Sequence, residues 1–197
     1  MNTTPAIRGL LAALIVGVSN ASFAEPANFE IDKEHFSIAF LVEHVGYANT
    51  IGQFLEAEGR FVYDESANQL SAGEVIIAAD SVFTNHRRRD KHLRSDDFLD
   101  ADRHEAIRFE ATQWRPAGKR KGTLAGDLTL LGQTRAVELG VTINKSAKYP
   151  FGHGRHTLGI SARTTIKRSE WGMTYGVEDG LVGDEVELIL EFEAIRQ

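Results

Sequence analysis

Glu185-Val186-Glu187-Leu188-Ile189-Leu190-Glu191-Phe192-Glu193-Ala194 decides the fold class. Val186, Leu188, Leu190, Phe192 and Ala194 alternate with Glu185, Glu187, Glu191 and Glu193, and only Ile189 interrupts the polar face. Such period-two alternation puts apolar side chains on one face of a strand and charges on the other. The same pattern recurs upstream. Phe36, Ile38, Phe40, Val42 and His44 share a face of a first strand, and Ala57, Gly59, Phe61 and Tyr63 suit a second. Val75, Ile77 and Ala79 suit a third, running to Phe83. Ile107, Phe109 and Ala111 give a fourth, and Leu124, Gly126, Leu128 and Leu130 a fifth. Val137, Leu139, Val141 and Ile143 give a sixth, and Leu158, Ile160, Ala162, Thr164 and Ile166 a seventh. With the C-terminal segment this makes eight strands.

Turn-forming residues separate these strands: Asp64 to Asn68, Pro116 to Gly122, Gly152 to Gly154, Gly176 to Gly183, and a tight Leu131-Gly132-Gln133-Thr134 loop. Eight mostly antiparallel strands suit a sandwich or a closed barrel. No cysteine is present to make an immunoglobulin-type Cys-Trp-Cys spacing, and strands of about ten residues favour the barrel. The expected class is therefore all-β, an eight-stranded antiparallel barrel. The charged run from Asn85 to His104 would be a short helical cap inserted between strands, over one mouth.

The bulk properties narrow the function. The chain has 197 residues, no cysteine and a formal charge of −6, which excludes disulfides and thiolate metal sites and disfavours nucleic-acid binding. Residues 1–24 read as a secretory signal peptide, with Arg8 before the apolar run Gly9 to Val18 and cleavage expected after Ala24. That run is short for a bilayer span, which needs about 20 apolar residues. Residues 25–197 then form one domain. Arg8 is the sole charge removed, so 21 cations face 28 anions in the remainder. The expected location is the periplasm.

An eight-stranded barrel is either filled by its own side chains or holds one ligand. The inward sets mix large residues with small ones, so periodicity leaves both outcomes open. Several polar residues carry two readings. His44 either contacts a ligand headgroup or fixes the turn at Gly46. Arg87, Arg88, Arg89, Lys91 and Arg94 form either an anion cradle or a solvated helical face, with Asp90 pairing Arg87 or Arg94. Trp171, beside Gly172 and Tyr175, either gates the mouth or packs on the rim. His86 with His92, and His153 with His156, lack the ligand company of a metal site, and none is expected. No nucleophile elbow accompanies Asp90 and His92, so catalysis is not expected.

Thr84-Asn85-His86-Arg87-Arg88-Arg89-Asp90-Lys91-His92-Leu93-Arg94-Ser95, followed by Asp97-Phe98-Leu99, resembles the central motif of the YceI-like proteins. Gly126-Asp127-Leu128-Thr129-Leu130-Leu131-Gly132-Gln133-Thr134 is similar to their hairpin. Ile31-Asp32, Phe40, His44 to Tyr47, Gly52 to Phe54, Gly59, Ser81 and Val182 to Val186 extend the resemblance over nearly the whole of residues 25–197. Arg168-Ser169-Glu170-Trp171-Gly172 departs from the usual acidic-aromatic turn.

The resemblance implies that the barrel is lipocalin-like and sequesters or carries a long-chain isoprenoid lipid, a ubiquinone-like quinone or a prenyl phosphate, with no catalytic cofactor. Ile38, Phe40, Val42, His44, Phe61, Phe109, Leu128, Leu130, Ile160, Ala162, Leu188, Leu190 and Phe192 would contact the lipid. Asn85, Asp90, His92, Leu93, Arg168 and Trp171 would form the cap and mouth. Transient contact with a membrane surface and a homodimer through an exposed strand face are compatible with this. The alternatives are an enzyme acting on a hydrophobic substrate in the same cavity and a solid-cored stress or interaction module.

Overall fold

The structure, a computed structural model, describes residues 25–197. The expected signal peptide lies outside the described residues. Ten strands follow one another: β1 (Ala27–His44), β2 (Ala48–Phe54), β3 (Ala57–Asp64), β4 (Gln69–Ala78), β5 (Val82–Phe83), β6 (Ala106–Pro116), β7 (Lys121–Leu130), β8 (Gln133–Lys148), β9 (His156–Lys167) and β10 (Val182–Arg196). One α-helix, α1 (Arg87–Leu93), lies between β5 and β6.

Ten strands make an eight-stranded wall because two staves are interrupted. β2 runs antiparallel to the second half of β1, with Phe40 opposite Gly52, and β3 to its start, with Phe29 opposite Phe61. Together β2 and β3 make one stave bent at Leu55-Glu56. β4 and β5 make the next, paired to β3 and β2 and broken by a single 3-10 turn over Ala79–Ser81. The two breaks are pinned to each other. The Leu55 N–H donates to the Ser81 carbonyl, the Ala78 N–H to the Glu56 carbonyl, and the Glu56 N–H to the Ser81 hydroxyl. The third strand read as reaching Phe83 thus contains a kink, and the second starts earlier than Ala57. Both bend the wall where it must curve to close.

Closure comes from β10, which pairs with β9 on one side and β1 on the other, placing Leu188 beside Phe40 and Leu190 beside Ile38. A closed wall leaves no long unpaired strand edge to recruit another chain. The apolar parity read from the sequence faces the interior along the staves, except that the 3-10 turn shifts it by one residue, so Val82 is buried and Phe83 points outward.

The interior differs along the barrel axis. At one end Phe29 stacks on Phe61 with centroids 5.3 Å apart, and Tyr63, Ile143, Leu158 and Ala194 complete a plug. Towards the other end large rings lie over glycines. A Cβ on Gly52 would fall 2.1 Å from the Phe40 ring, and one on Gly126 would fall 2.2 Å from the Phe109 ring. The hairpin motif now has physical reasons. Gly126 makes room for Phe109. Leu131 and Gly132, at φ 52° and 69°, form the tight turn between β7 and β8, where right-twisted strands favour positive φ at both central residues. Thr129 and Thr134 share a 2.8 Å hydroxyl contact across the hairpin.

Candidate functional site

At the end opposite the plug the lumen holds a cavity of about 420 Å³. That lies within the range of about 300–1,000 Å³ typical of small-molecule sites. Its wall is built by strand parity. β1 contributes Ile38, Phe40, Val42 and His44, β6 contributes Ile107 and Phe109, β7 contributes Leu128 and Leu130, and β10 contributes Leu188 and Leu190. A second chamber of about 110 Å³ lies toward the plug. Phe61, Ile160, Ala162 and Phe192, expected to line the lumen, line this smaller chamber. Phe109, Val75, Leu139 and Leu190 border both chambers and form the neck between them. The sequence posed hollow and solid barrels as alternatives. Here one end is hollow, and the other is largely filled around the smaller chamber.

The polar lining belongs mainly to the open end. Glu43 and exposed His44 lie where β1 ends, Arg89 and His92 on α1, and Arg168 and Tyr175 beyond β9. Only two lining hydroxyls, those of Thr50 and Thr164, come from within strands.

The cap is held by a buried carboxylate. His86 caps α1, its Nδ1 accepting from the Arg89 N–H at 3.2 Å, and Leu93, Phe98 and Leu99 face the cavity. Asp90 is 6% exposed and accepts from both the N–H and the hydroxyl of Thr84, at the end of β5. It makes an ion pair with neither Arg87 nor Arg94. Arg89 donates to the Thr84 hydroxyl and carbonyl, each at 2.7 Å. Arg94 donates to the carbonyls of Asp80 and Val82. These two arginines therefore bolt the cap to the rim, while Arg87, Arg88 and Lys91 are exposed. Asn85 adopts φ 58° in the turn entering α1, is exposed, and does not reach the cavity.

Burial pushes the Asp90 carboxyl up, but the two Thr84 bonds with Arg94 and Arg89 outweigh it and hold it below its ordinary 3.8. A depressed carboxylate contributes stability above its unfolded value and loses it as pH falls through the folded value. Asp90→Asn is therefore expected to lower the urea midpoint by a constant amount from pH 5 to 8, equivalent to about 2 kcal/mol. That difference should vanish only below about pH 3.8. A difference that titrates away near neutrality would assign the latch to another group.

Arg168 was expected at the mouth, and its environment was not foreseen. It is 2% exposed and donates to four backbone carbonyls, those of Gly183, Met173, Tyr175 and Val182, each at 2.8 Å. Its guanidinium also sits 5.8 Å from the Phe98 ring centroid. Desolvation pulls it below its ordinary value, and Asp184 pulls back. The sequence held a signal for this: Thr164, Ile166 and Arg168 continue the inward parity of β9 by one step. Trp171 is not a mouth gate. It is 1% exposed, and its indole N–H donates to the Leu128 carbonyl at 3.0 Å while the Gln133 side-chain amide donates to the Trp171 carbonyl. Gating position falls instead to Tyr175, which meets His92 edge-on at 4.9 Å and lies 5.2 Å from Phe98.

The histidine pairs weighed as metal ligands are not brought together. His92 bonds Asp97 at 2.8 Å while His86 caps the helix; His156 pairs with Glu65 while His153 stacks on Tyr149.

With this geometry in place, comparison with known proteins is direct. The family model of the YceI-like domain matches residues 29–194. A UPF0312 protein of Ectopseudomonas mendocina is 35% identical over 194 residues, covering 97% of this chain and all of the relative. The crystal structure of a Campylobacter jejuni YCEI protein superposes with a TM-score of 0.72 at 26% identity, covering 79% of this chain and 90% of that one. A polyisoprenoid-binding domain from Saccharophagus degradans superposes with a TM-score of 0.62 at 11% identity, covering 86% of this chain and 98% of that one.

Proposed function

The chain belongs to the YceI-like domain family, and from that premise we propose that it binds and sequesters or carries a long-chain isoprenoid lipid in its lumen. The observation that carries this reading is the roughly 420 Å³ apolar cavity beneath a latched cap, its charged groups gathered at the open end. A lipid tail entering it trades water or bilayer for an apolar wall, and no bond is made or broken. The headgroup stays at the rim, near His44, Arg89, His92 and Tyr175. A ubiquinone-like quinone or a prenyl phosphate fits this division between greasy wall and polar rim. The similar fold of the polyisoprenoid-binding domain from Saccharophagus degradans supports the same ligand class.

We place the protein in the periplasm, on the pattern of residues 1–24. Val45, Tyr47 and Leu181 are exposed around the mouth and suit brief contact with a membrane during loading. Ile51 and Phe83 are exposed on the outer face of the β2–β5 stretch and suit a homodimer. Binding is favoured over turnover because the titratable lining groups sit at the open end, away from the neck.

Mass spectrometry of the protein purified from periplasm, native and then after organic extraction, tests this. A stoichiometric isoprenoid is expected. An empty protein that takes up neither added ubiquinone nor prenyl phosphate would overturn the reading.

A further inference from the structure

The seam that closes the barrel is interrupted at one place. Ile31 pairs with Ala194 and Phe36 with Phe192, so Asp32, Lys33, Glu34 and His35 of β1 face the single residue Glu193 of β10. An ordinary bulge inserts one extra residue. This one inserts three, and its own side chains hold its shape. Asp32 Oδ1 accepts the Glu34 N–H at 3.0 Å, and Asp32 Oδ2 meets His35 Nδ1 at 2.9 Å. Glu193 alternates with the inward Phe192 and Ala194, so its carboxylate lies on the outer face, under the bulge.

Two independent observations mark this knot. One potential ligand atom from each of Asp32, His35 and Glu193 lies within 4.8 Å of the other two. In addition, Glu193 Oε2 is buried and makes no hydrogen bond of ordinary length, alone in this respect among the described residues, with the Tyr149 hydroxyl as the donor that faces the Glu193 carboxylate. A buried carboxylate oxygen without such a bond is costly and calls for a cation or a closer donor at that point. Tyr149 and His153 stack on each other at 4.6 Å beside the knot, and the Tyr149 ring lies 6.4 Å from that of His35. None of the three knot side chains is part of the main cavity.

We propose that Asp32, His35 and Glu193 bind a divalent transition-metal ion. One imidazole nitrogen with two carboxylates suits zinc and its neighbours, whereas calcium takes oxygen ligands alone. Donors about 2.1 Å from a tetrahedral ion stand roughly 3.4 Å apart, so the three groups close on an ion by side-chain rotation. The proton that His35 Nδ1 shares with Asp32 passes to solvent from an imidazolium, or to Nε2 from a neutral ring, as the ion takes its place. The ion would clip β1 to β10 where their hydrogen-bond ladder is broken, in a chain without a cysteine for the same task.

The test is calorimetric titration of the purified, chelator-treated full chain with zinc chloride, with calcium chloride in parallel. One zinc per chain is expected, with a melting temperature that rises on binding. His35→Ala and Glu193→Gln should each weaken binding at least about tenfold and abolish the thermal gain. Circular dichroism serves as the folding control for both variants. Absent zinc binding, zinc binding indifferent to both substitutions, or equal binding of calcium would each overturn the proposal. Because the knot is outside the main cavity, such a result leaves the lipid reading standing, and an empty lumen leaves the metal site standing.

Discussion

Phe109→Arg is expected to empty the barrel: isoprenoid recovered from the purified variant should fall to below about a tenth of the wild-type amount. Phe109 lies at the neck between the two chambers, its ring over Gly126. A guanidinium there has apolar neighbours on the wall and draws water into the path of the tail. The driving force it removes is large. At roughly 0.8 kcal/mol per methylene, about fifteen buried tail carbons contribute about 12 kcal/mol before the association cost. That cost is of order 4–15 kcal/mol, so losing a few buried carbons moves binding from micromolar to negligible. Phe109→Ala is the opposing control. It joins the two chambers and should retain lipid while shifting the bound population toward longer tails. The measurement is extraction and mass spectrometry of both variants, with circular dichroism to establish folding. A folded Phe109→Arg protein with unchanged lipid content would place the ligand elsewhere.

The second large effect concerns Arg168. Arg168→Lys is expected to destabilise the protein by about 3 kcal/mol, despite keeping the charge. The wild-type guanidinium serves four carbonyls from three directions, gathering the segment after β9 and the start of β10 around one planar fork. An ammonium group has three donors on a longer, flexible stem and leaves carbonyls unpaired in a site that is 2% exposed. Each orphaned buried acceptor costs about 1–3 kcal/mol. Urea unfolding reads the loss, and hydrogen exchange should locate it at residues 168–183. A loss below about 0.5 kcal/mol, the range of ordinary surface substitutions, would show that the carbonyl cage is replaceable. Because the same segment carries Tyr175, lipid release from this variant should also be faster.

Much of this molecule is legible along the chain, and specific residues show where legibility stops. Strand parity identified Phe40, Phe109, Leu128 and Leu188 as inward, because period two is a local property that each strand carries alone. The start of β1 escaped because Asp32-Lys33-Glu34-His35 breaks the alternation. Four polar residues in a row look like the end of a loop until β10 supplies Glu193 opposite them. Phe61, Ile160 and Phe192 face inward as their parity indicates, but only the structure places them in the smaller chamber, since parity says which face a side chain takes and nothing of its height along the barrel. Trp171 read as a possible gate because an aromatic beside glycine is common in loops. Only the hairpin carbonyl of Leu128 reveals it as a buried anchor.

By itself the sequence determined the all-β class, the eight staves, the family and the place of the cap. Each of these follows from alternation and short motifs, which act over a few neighbouring residues. Only the tertiary structure decided that one end of the lumen holds the large cavity and the other is largely filled around a smaller one. It alone also decided that Arg168 is caged by carbonyls and that three separated polar side chains meet at the seam. These outcomes depend on the summed volumes and the donors and acceptors of residues far apart in sequence, so no local window contains them.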